Sequence, residues 1–392
     1  MAIEISKGSP AEVFLAFLKL GLTSFGGPVA HLGYFRSEFV ERRKWLTESN
    51  YADIVALCQF LPGPASSQVG IAIGMSRSGW QGALAAWSAF TLPSALALYL
   101  FAQGVVAAGG SADGGWLHGL KVAAVAVVAL AIVGMARTLT PDRTRASVAV
   151  AAMIAAFVLP SAWGQISGIV LGALFGLLFL KGDAPSTGST IPLAVSRRAG
   201  AVLLCTFAAL LLGLPLAASG LRNHDLALFD TFYRVGALVF GGGHVVLPLL
   251  KAEVVPAFIS ENDFLAGYGA AQAVPGPLFT FAAYIGTVAG GWTAALICTT
   301  GIFLSSFLIV LGALPFWSDL RNRPSARAAL TGVNAAVVGL LLAAFYDPVW
   351  AAGITNRADF ALGIGAFVSL LCWKMPPWLV VLLCGAVGQI VM

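Results

Sequence analysis

Long apolar runs punctuated by glycine and proline set the pattern of this chain. The runs near 80–107, 117–137, 198–219, 292–317 and 327–346 are long enough to cross a membrane as helices, which takes about 20 mostly apolar residues. Shorter runs lie at 146–160 and 162–180, separated by Pro160-Ser161, and at 358–373 and 376–392. Residues 11–27 are apolar but carry Lys19 and end in Phe25-Gly26-Gly27-Pro28, and the more polar 28–44 closes on Glu41-Arg42-Arg43-Lys44. Residues 51–62 and 64–76 are half-length pieces broken at Pro62-Gly63-Pro64. Proline lacks the helix donor and clashes with the preceding turn, and glycine lets the chain turn where other residues cannot. The pattern therefore predicts re-entrant hairpins or spans that unwind in the middle. At membrane depth, such backbone survives only inside protein or beside a watery cavity.

The whole pattern occurs twice, and a repeat governs any local reading. Lys19 to Pro28 matches Arg234 to Gly243, Gln59 to Pro64 matches Gln272 to Pro277, and Gly79-Trp80 matches Gly291-Trp292. The offset is 215 at Gly26/Gly241, 213 at Pro62/Pro275 and 212 at Gly79/Gly291, which is the mark of an internal duplication. Three regions follow: a first transmembrane repeat (1–180), a polar linker with one connecting span (181–228), and a second repeat (229–392). An even number of crossings per repeat plus one connector is odd, so the second repeat is expected to be inverted. Loop charge agrees. With the N-terminus placed inside, sixteen Lys and Arg fall on inner loops against four outside: Lys121, Arg222, Lys251 and Arg357. Only Lys and Arg count in the positive-inside rule. The C-terminus is then expected outside.

Composition narrows the class. The chain is 59% hydrophobic and 10% charged, and its mean hydropathy is +0.89. A soluble domain carries about 25% charged residues. The expected fold class is thus an all-α polytopic membrane protein. Its two inverted structural repeats have broken or re-entrant helices that meet near the midplane. The net charge of +5 comes from basic loops and is no nucleic-acid footprint. The five cysteines sit in apolar runs without metal spacing, and Met1 to Pro10 has no cleavable signal pattern. No catalytic residue, metal ligand or cofactor is assigned, because no nucleophile–base pair, metal-ligand spacing or phosphate loop is present.

Inverted repeats broken at matched positions point to a secondary transporter with its site at the crossing of the breaks. Helix N-termini carry unpaired amides and the positive end of the dipole, which suits an anion. Helices can restart after Gly26-Gly27, Pro62-Gly63-Pro64, Gly241-Gly242-Gly243 and Pro275-Gly276-Pro277, with Ser66, Ser67 and Thr280 as nearby hydroxyl donors. Lys19 and Arg234 are equivalent, each seven residues before its first glycine. Charges inside apolar segments usually face an interior path, and two related cations suit a dianion. No carboxylate is matched to them in this reading; the alternative is that they snorkel or pair with Glu12 or Asp230. His31 and His244 follow the glycines without being equivalent, and either binds substrate or is a packed polar residue. Glu38 with Arg36, and Glu253 with Lys251, read as local ion pairs.

At these residues the chain resembles the chromate ion transporter superfamily in its long two-domain form. The resemblance rests on Phe25-Gly26-Gly27-Pro28-Val29-Ala30-His31-Leu32, Glu41 to Leu46, Pro62-Gly63-Pro64, Gly79-Trp80, Phe240 to His244 and Pro275 to Thr280. It implies an inner-membrane carrier that exports chromate, with sulfate as a related oxyanion, and confers chromate resistance. The partners it implies are the oxyanion and the lipid bilayer, with a homodimer left open. A channel-like or uniport pathway for another inorganic anion is the alternative. Two departures stand out. Ala65-Ser66-Ser67 lacks the side-chain amide often found after the first Pro-Gly-Pro, and His244 replaces a common tyrosine.

Overall fold

The computed structural model describes residues 8–25, 27–107, 115–159, 162–180, 195–221, 223–239, 246–317, 319 and 323–391. Every regular element among them is helical. The linker 181–194 and the second glycine motif, with Gly241, Gly242 and His244, lie outside the described residues, as does Gly26.

The first half contains α1 (Pro10–Thr23), α2 (Gly27–Arg36, continued by a π-helical turn Ser37–Arg42), α3 (Glu48–Phe60) and α4 (Ala65–Ala107). It ends with α5 (Gly115–Leu139), α6 (Arg143–Val158) and α7 (Ala162–Phe179). After the connecting helix α8 (Arg197–Leu221), the order recurs. The second half has α9 (His224–Leu238), α10 (Val246–Val254), α11 (Glu261–Ala273) and α12 (Phe281–Ala313, entered by a 3₁₀ turn Leu278–Thr280). It closes with α13 (Pro324–Ala344), α14 (Arg357–Leu371) and α15 (Pro377–Val391). Among the described residues, five helices are long and apolar enough to cross a membrane: α4, α5, α8, α12 with its flanking turns, and α13 with its extension.

Local sequence explains the helix starts. Ser9, Thr47 and Asp142 accept the amides of Glu12, Asn50 and Arg145, and Asn223, Ser260 and Asn356 do the same in the second half. Both long helices break at the Gly-Trp pair. Gly79 has φ 64, ψ −152 and Gly291 has φ 74, ψ −156, a region essentially restricted to glycine.

The broken segments fold back. Arg77, at the end of the first limb of α4, accepts the Gly8 amide on its carbonyl (3.0 Å), pairs with Glu12 and stands over the Trp45 ring (4.9 Å). The start of α1, the end of α2 and its π turn, the start of α3 and the end of the 65–77 limb therefore lie together. α1–α2 and α3–(65–77) are helical hairpins with tips at Ser24-Phe25 and at 62–64. The second half repeats this: His224 packs on Phe258 (5.6 Å between rings) and stands beside Gly290.

The later helices are exchanged between halves. α5 packs on α14 and α15, while α13 packs on α6 and α7. Small residues allow the close approach: Gly388 lies on Gly119, and Gly172 and Gly176 lie on Gly332, Ala328 and Ala329. Membrane helices associate through such small residues because lipid supplies no hydrophobic drive between them. α8 packs on α9 and α12, and only Gly200 and Leu214 of its residues are buried.

Candidate anion site

The tips of the hairpins meet in pairs across the two halves. Gly63 donates its amide to the Val239 carbonyl (2.6 Å), and Gly276 donates to the Ser24 carbonyl (2.9 Å). Gly63 and Gly276 are equivalent at offset 213, and Ser24 and Val239 at 215. Reciprocal contacts of this kind, i on j′ and i′ on j, are the signature of a two-fold relation. A methyl group on Gly276 would stand 3.0 Å from Ser94 Oγ, and one on Gly63 would stand 3.1 Å from Ser306 Oγ. Ser94 and Ser306 are themselves equivalent at offset 212, and both are fully buried. Ser94 lies half-way along the 80–107 limb of α4, so the crossing sits at mid-depth in that helix.

These bonds change what the loops can offer. Pro62 and Pro64 have no N–H, and the Gly63 amide is taken; Pro275, Gly276 and Pro277 are in the same position. Free amides come from the helices that restart behind them, at Ala65, Ser66 and Ser67, where α4 has not yet begun its own ladder. Among the described residues, several fully buried polar atoms here have no hydrogen-bond partner: Ser24 Oγ, His31 Nε2, Ser67 Oγ, Thr91 Oγ1 and Ser306 Oγ. His31 Nδ1 is 3.3 Å from Ser66 Oγ, and its ring stands edge-on to Phe90 at 5.3 Å. In the tautomer in which the Ser66 hydroxyl donates to Nδ1, the imidazole carries its proton on Nε2, the side without a hydrogen-bond partner. In the second half Thr280 Oγ1 donates to the Pro277 carbonyl (2.7 Å) and is not free.

The two sequence-matched cations are placed equivalently, but both are partnered, which corrects the expectation that no carboxylate is matched to them. Lys19 Nζ is 3.2 Å from Glu38 Oε2. Arg234 makes a two-pronged contact with Glu253 (3.0 Å each) and reaches Asp230 (3.1 Å). Both glutamates lie 19 residues after their cation, across the hairpin. Burial works to raise the Glu38 carboxyl, but hydrogen bonds from Arg43, Lys19 and Arg42 hold it below the usual carboxylate range. The expected Glu38–Arg36 and Glu253–Lys251 pairs are replaced. Arg36 binds Glu41 and Glu48, and Lys251 binds Glu261 and Asp347. The first cluster sets three cations against one carboxylate, and the second sets one cation against two.

Sequence reading missed Ser24, Thr91, Ser94 and Ser306. The offset of 212 could have paired Ser94 with Ser306, but isolated serines in apolar helices carry no signal until the loops facing them are known. A separate cavity of about 420 Å³ lies among Phe101, Trp116, Leu120, Val274 and Leu382. Its lining is apolar, so it does not suit an oxyanion.

The sequence pattern of the family described as "Chromate transporter" matches residues 11–177 and 226–389. A protein named "Chromate transport protein" from Pseudomonas aeruginosa is 29% identical over 86% of this chain and 80% of its own length. A "Probable chromate transport protein" from Synechococcus elongatus is 27% identical over 95% and 93%. A "Chromate transport protein" from Cupriavidus metallidurans is 26% identical over 85% and 81%. No solved structure matches the chain.

Proposed function

This chain belongs to the chromate transporter family, a family of multi-pass membrane transporters and not of enzymes, and from that premise we propose that it exports chromate across a cell inner membrane by alternating access. The observation that carries the reading is the reciprocal tie between hairpin tips, Gly63 to Val239 and Gly276 to Ser24. It supports a single site at mid-depth shared by two inverted halves. The anion is held on the free amides at the start of α4, with His31 Nε2 and the Ser67 hydroxyl as side-chain donors. Lys19 and Arg234 act from behind their glutamates: they set the local potential but do not form a bare dication. Sulfate is a tetrahedral dianion of similar build, so the same donors suit it. The N-terminus lies inside and the C-terminus outside.

The test is uptake of labelled chromate into everted vesicles, in which export becomes accumulation, with sulfate, molybdate and phosphate as competitors. Protein-dependent accumulation that saturates, is competed by sulfate, and is accelerated by trans-sulfate is the expected result. His31→Ala is expected to weaken the apparent affinity by roughly ten-fold or more, since a hydrogen bond to a charged group contributes about 1.5–3 kcal/mol. Non-saturating flux without counterflow would instead establish a channel-like pathway. Correctly inserted protein that accumulates no chromate would remove chromate as the cargo.

A further inference from the structure

The relation that joins the hairpin tips also lets each polar position of the site be compared with its equivalent in the other half. At offset 215, Ser24 and His31 correspond to Val239 and Val246. At offset 213, Ser66 and Gln68 correspond to Phe279 and Phe281, and at offset 212 Thr91 corresponds to Phe303. Five polar side chains of the first half are thus apolar in the second, and all ten are buried. Ser67 and Thr280 keep a hydroxyl in both halves, but the two are used differently. Thr280 donates to the Pro277 carbonyl, whereas Ser67 Oγ has no hydrogen-bond partner.

The polar set is gathered around the tip of the second half. Gly276 donates to the Ser24 carbonyl, and a methyl group on it would stand 3.1 Å from the carbonyl of Phe90, the neighbour of Thr91. The His31 ring stands against Phe90, and its Nδ1 reaches Ser66. The hydroxyls of Ser24, Ser67 and Thr91 and the Nε2 of His31 are buried here without a partner. Burying so many unpaired polar atoms is costly unless a ligand completes their bonds. Gln68 Nε2 donates to the Pro62 carbonyl (2.6 Å) and so fixes the first tip, a bond that Phe281 cannot make. The equivalent place in the second half is packed with rings. Phe279 meets Phe303 (6.3 Å between ring centres), Trp87 stands edge-on to Phe303 (5.8 Å), and Phe281 packs on Phe264 (5.2 Å).

We infer that the chain binds one oxyanion, on the first half's side of the crossing, with Ser24 and Thr91 as further ligand-contacting residues, and that Phe279 and Phe303 close the second place a two-fold architecture would otherwise offer. This rests on the transport reading given above and adds to it the number of anions bound and the half that holds them. The physical reason is charge. Two dianions held close together in a poorly solvated interior repel strongly. A single dianion is served best by donors gathered on one side of it. The second half's tip covers the anion without holding it, since its prolines have no N–H and the Gly276 amide is taken by Ser24.

Equilibrium binding to full-length protein in nanodiscs tests it, with labelled chromate and labelled sulfate as separate probes. One anion per chain is expected, and two per chain overturns the inference. Thr91→Val and Ser24→Ala are each expected to weaken binding roughly ten-fold, as the loss of a hydrogen bond to a charged group does, while Phe279→Leu and Phe303→Leu stay within about two-fold. Thr91→Ser, which keeps the hydroxyl, is expected to bind as the unchanged chain does. Unfolding midpoints measured without anion identify any variant that fails to fold. Equal losses from Thr91→Val and Phe303→Leu in folded protein overturn the inference. Moving the histidine across, with His31→Val and Val246→His together, is expected to leave binding at the level of His31→Val alone. Recovery in that double variant would make the second place usable and overturns the inference. Sulfate bound at one per chain with this residue dependence, but no chromate bound, supports the inference and removes chromate as the cargo. Folded protein that binds neither anion overturns it.

Discussion

At the residue scale, the two halves treat the same cation differently. Lys19 is half-exposed, and its glutamate keeps Arg42 and Arg43 when Lys19 is lost. Arg234 is the cation shared by Glu253 and by Asp230, whose side chain is 7% exposed. Removing Arg234 therefore leaves a buried carboxylate without its counter-charge, a loss of about 3–5 kcal/mol where a buried pair is broken. Arg234→Ala is expected to lower the unfolding midpoint in detergent strongly, and Lys19→Ala only slightly. Adding Asp230→Asn and Glu253→Gln to Arg234→Ala is expected to restore most of the loss. Equal effects of the two single changes would contradict this. The pairing was within reach of the sequence, because Glu38 aligns with Glu253 just as Lys19 aligns with Arg234. It was misassigned because Arg36 and Lys251 are nearer along the chain. A contact between residues 19 apart becomes visible only once the segment is known to fold back on itself.

At the element scale, the breaks were legible and the return of the chain was not. Glycine and proline mark where a helix must stop, but hydropathy is the same for a half-span that continues and one that turns back. What decides is a contact between the segment's two ends, Trp45 on Arg77 in one half and His224 on Phe258 in the other. The turn after each hairpin depends on one glycine. Nothing lies within 4 Å of a methyl group built on Gly79 or Gly291, so packing does not forbid alanine there. The backbone does, since ψ near −155 at positive φ costs other residues about 1–3 kcal/mol. Gly79→Ala and Gly291→Ala are expected to destabilise the protein by that amount each in reversible unfolding. Gly104→Ala, helical and equally open, is expected to have no such cost. A neutral Gly79→Ala would mean that the Gly-Trp turn can form without its glycine.

At the scale of the whole molecule, the duplication was readable as a set of offsets, while the exchange of α5 and α13 between halves was not. Apolar helices with small residues can pack on many partners, and nothing in α5 names α15 as its own. The drop in offset from 215 to 210 along the chain means that the second half is a few residues shorter between matched elements. The proposed inverted topology also predicts where the termini lie. The hairpins of each half begin and end on one side, so they add no crossing. α4 beyond Gly79, α5, α6 and α7 add an even number, and α8 adds one more. On the proposed topology, two like halves joined by one spanning helix enter from opposite sides, and the expected sixteen-to-four bias in loop cations puts the first half's hairpin bases on the inner side. A fluorescent protein that folds only in the cytoplasm is therefore expected to be bright at the N-terminus and dark at the C-terminus. A phosphatase active only outside is expected to give the converse. Deleting α8 together with the 181–196 linker is expected to reverse the C-terminal result while leaving the N-terminal one unchanged. Termini on the same side in the intact chain would make the crossings even and would remove the inverted relation on which a shared mid-depth site depends.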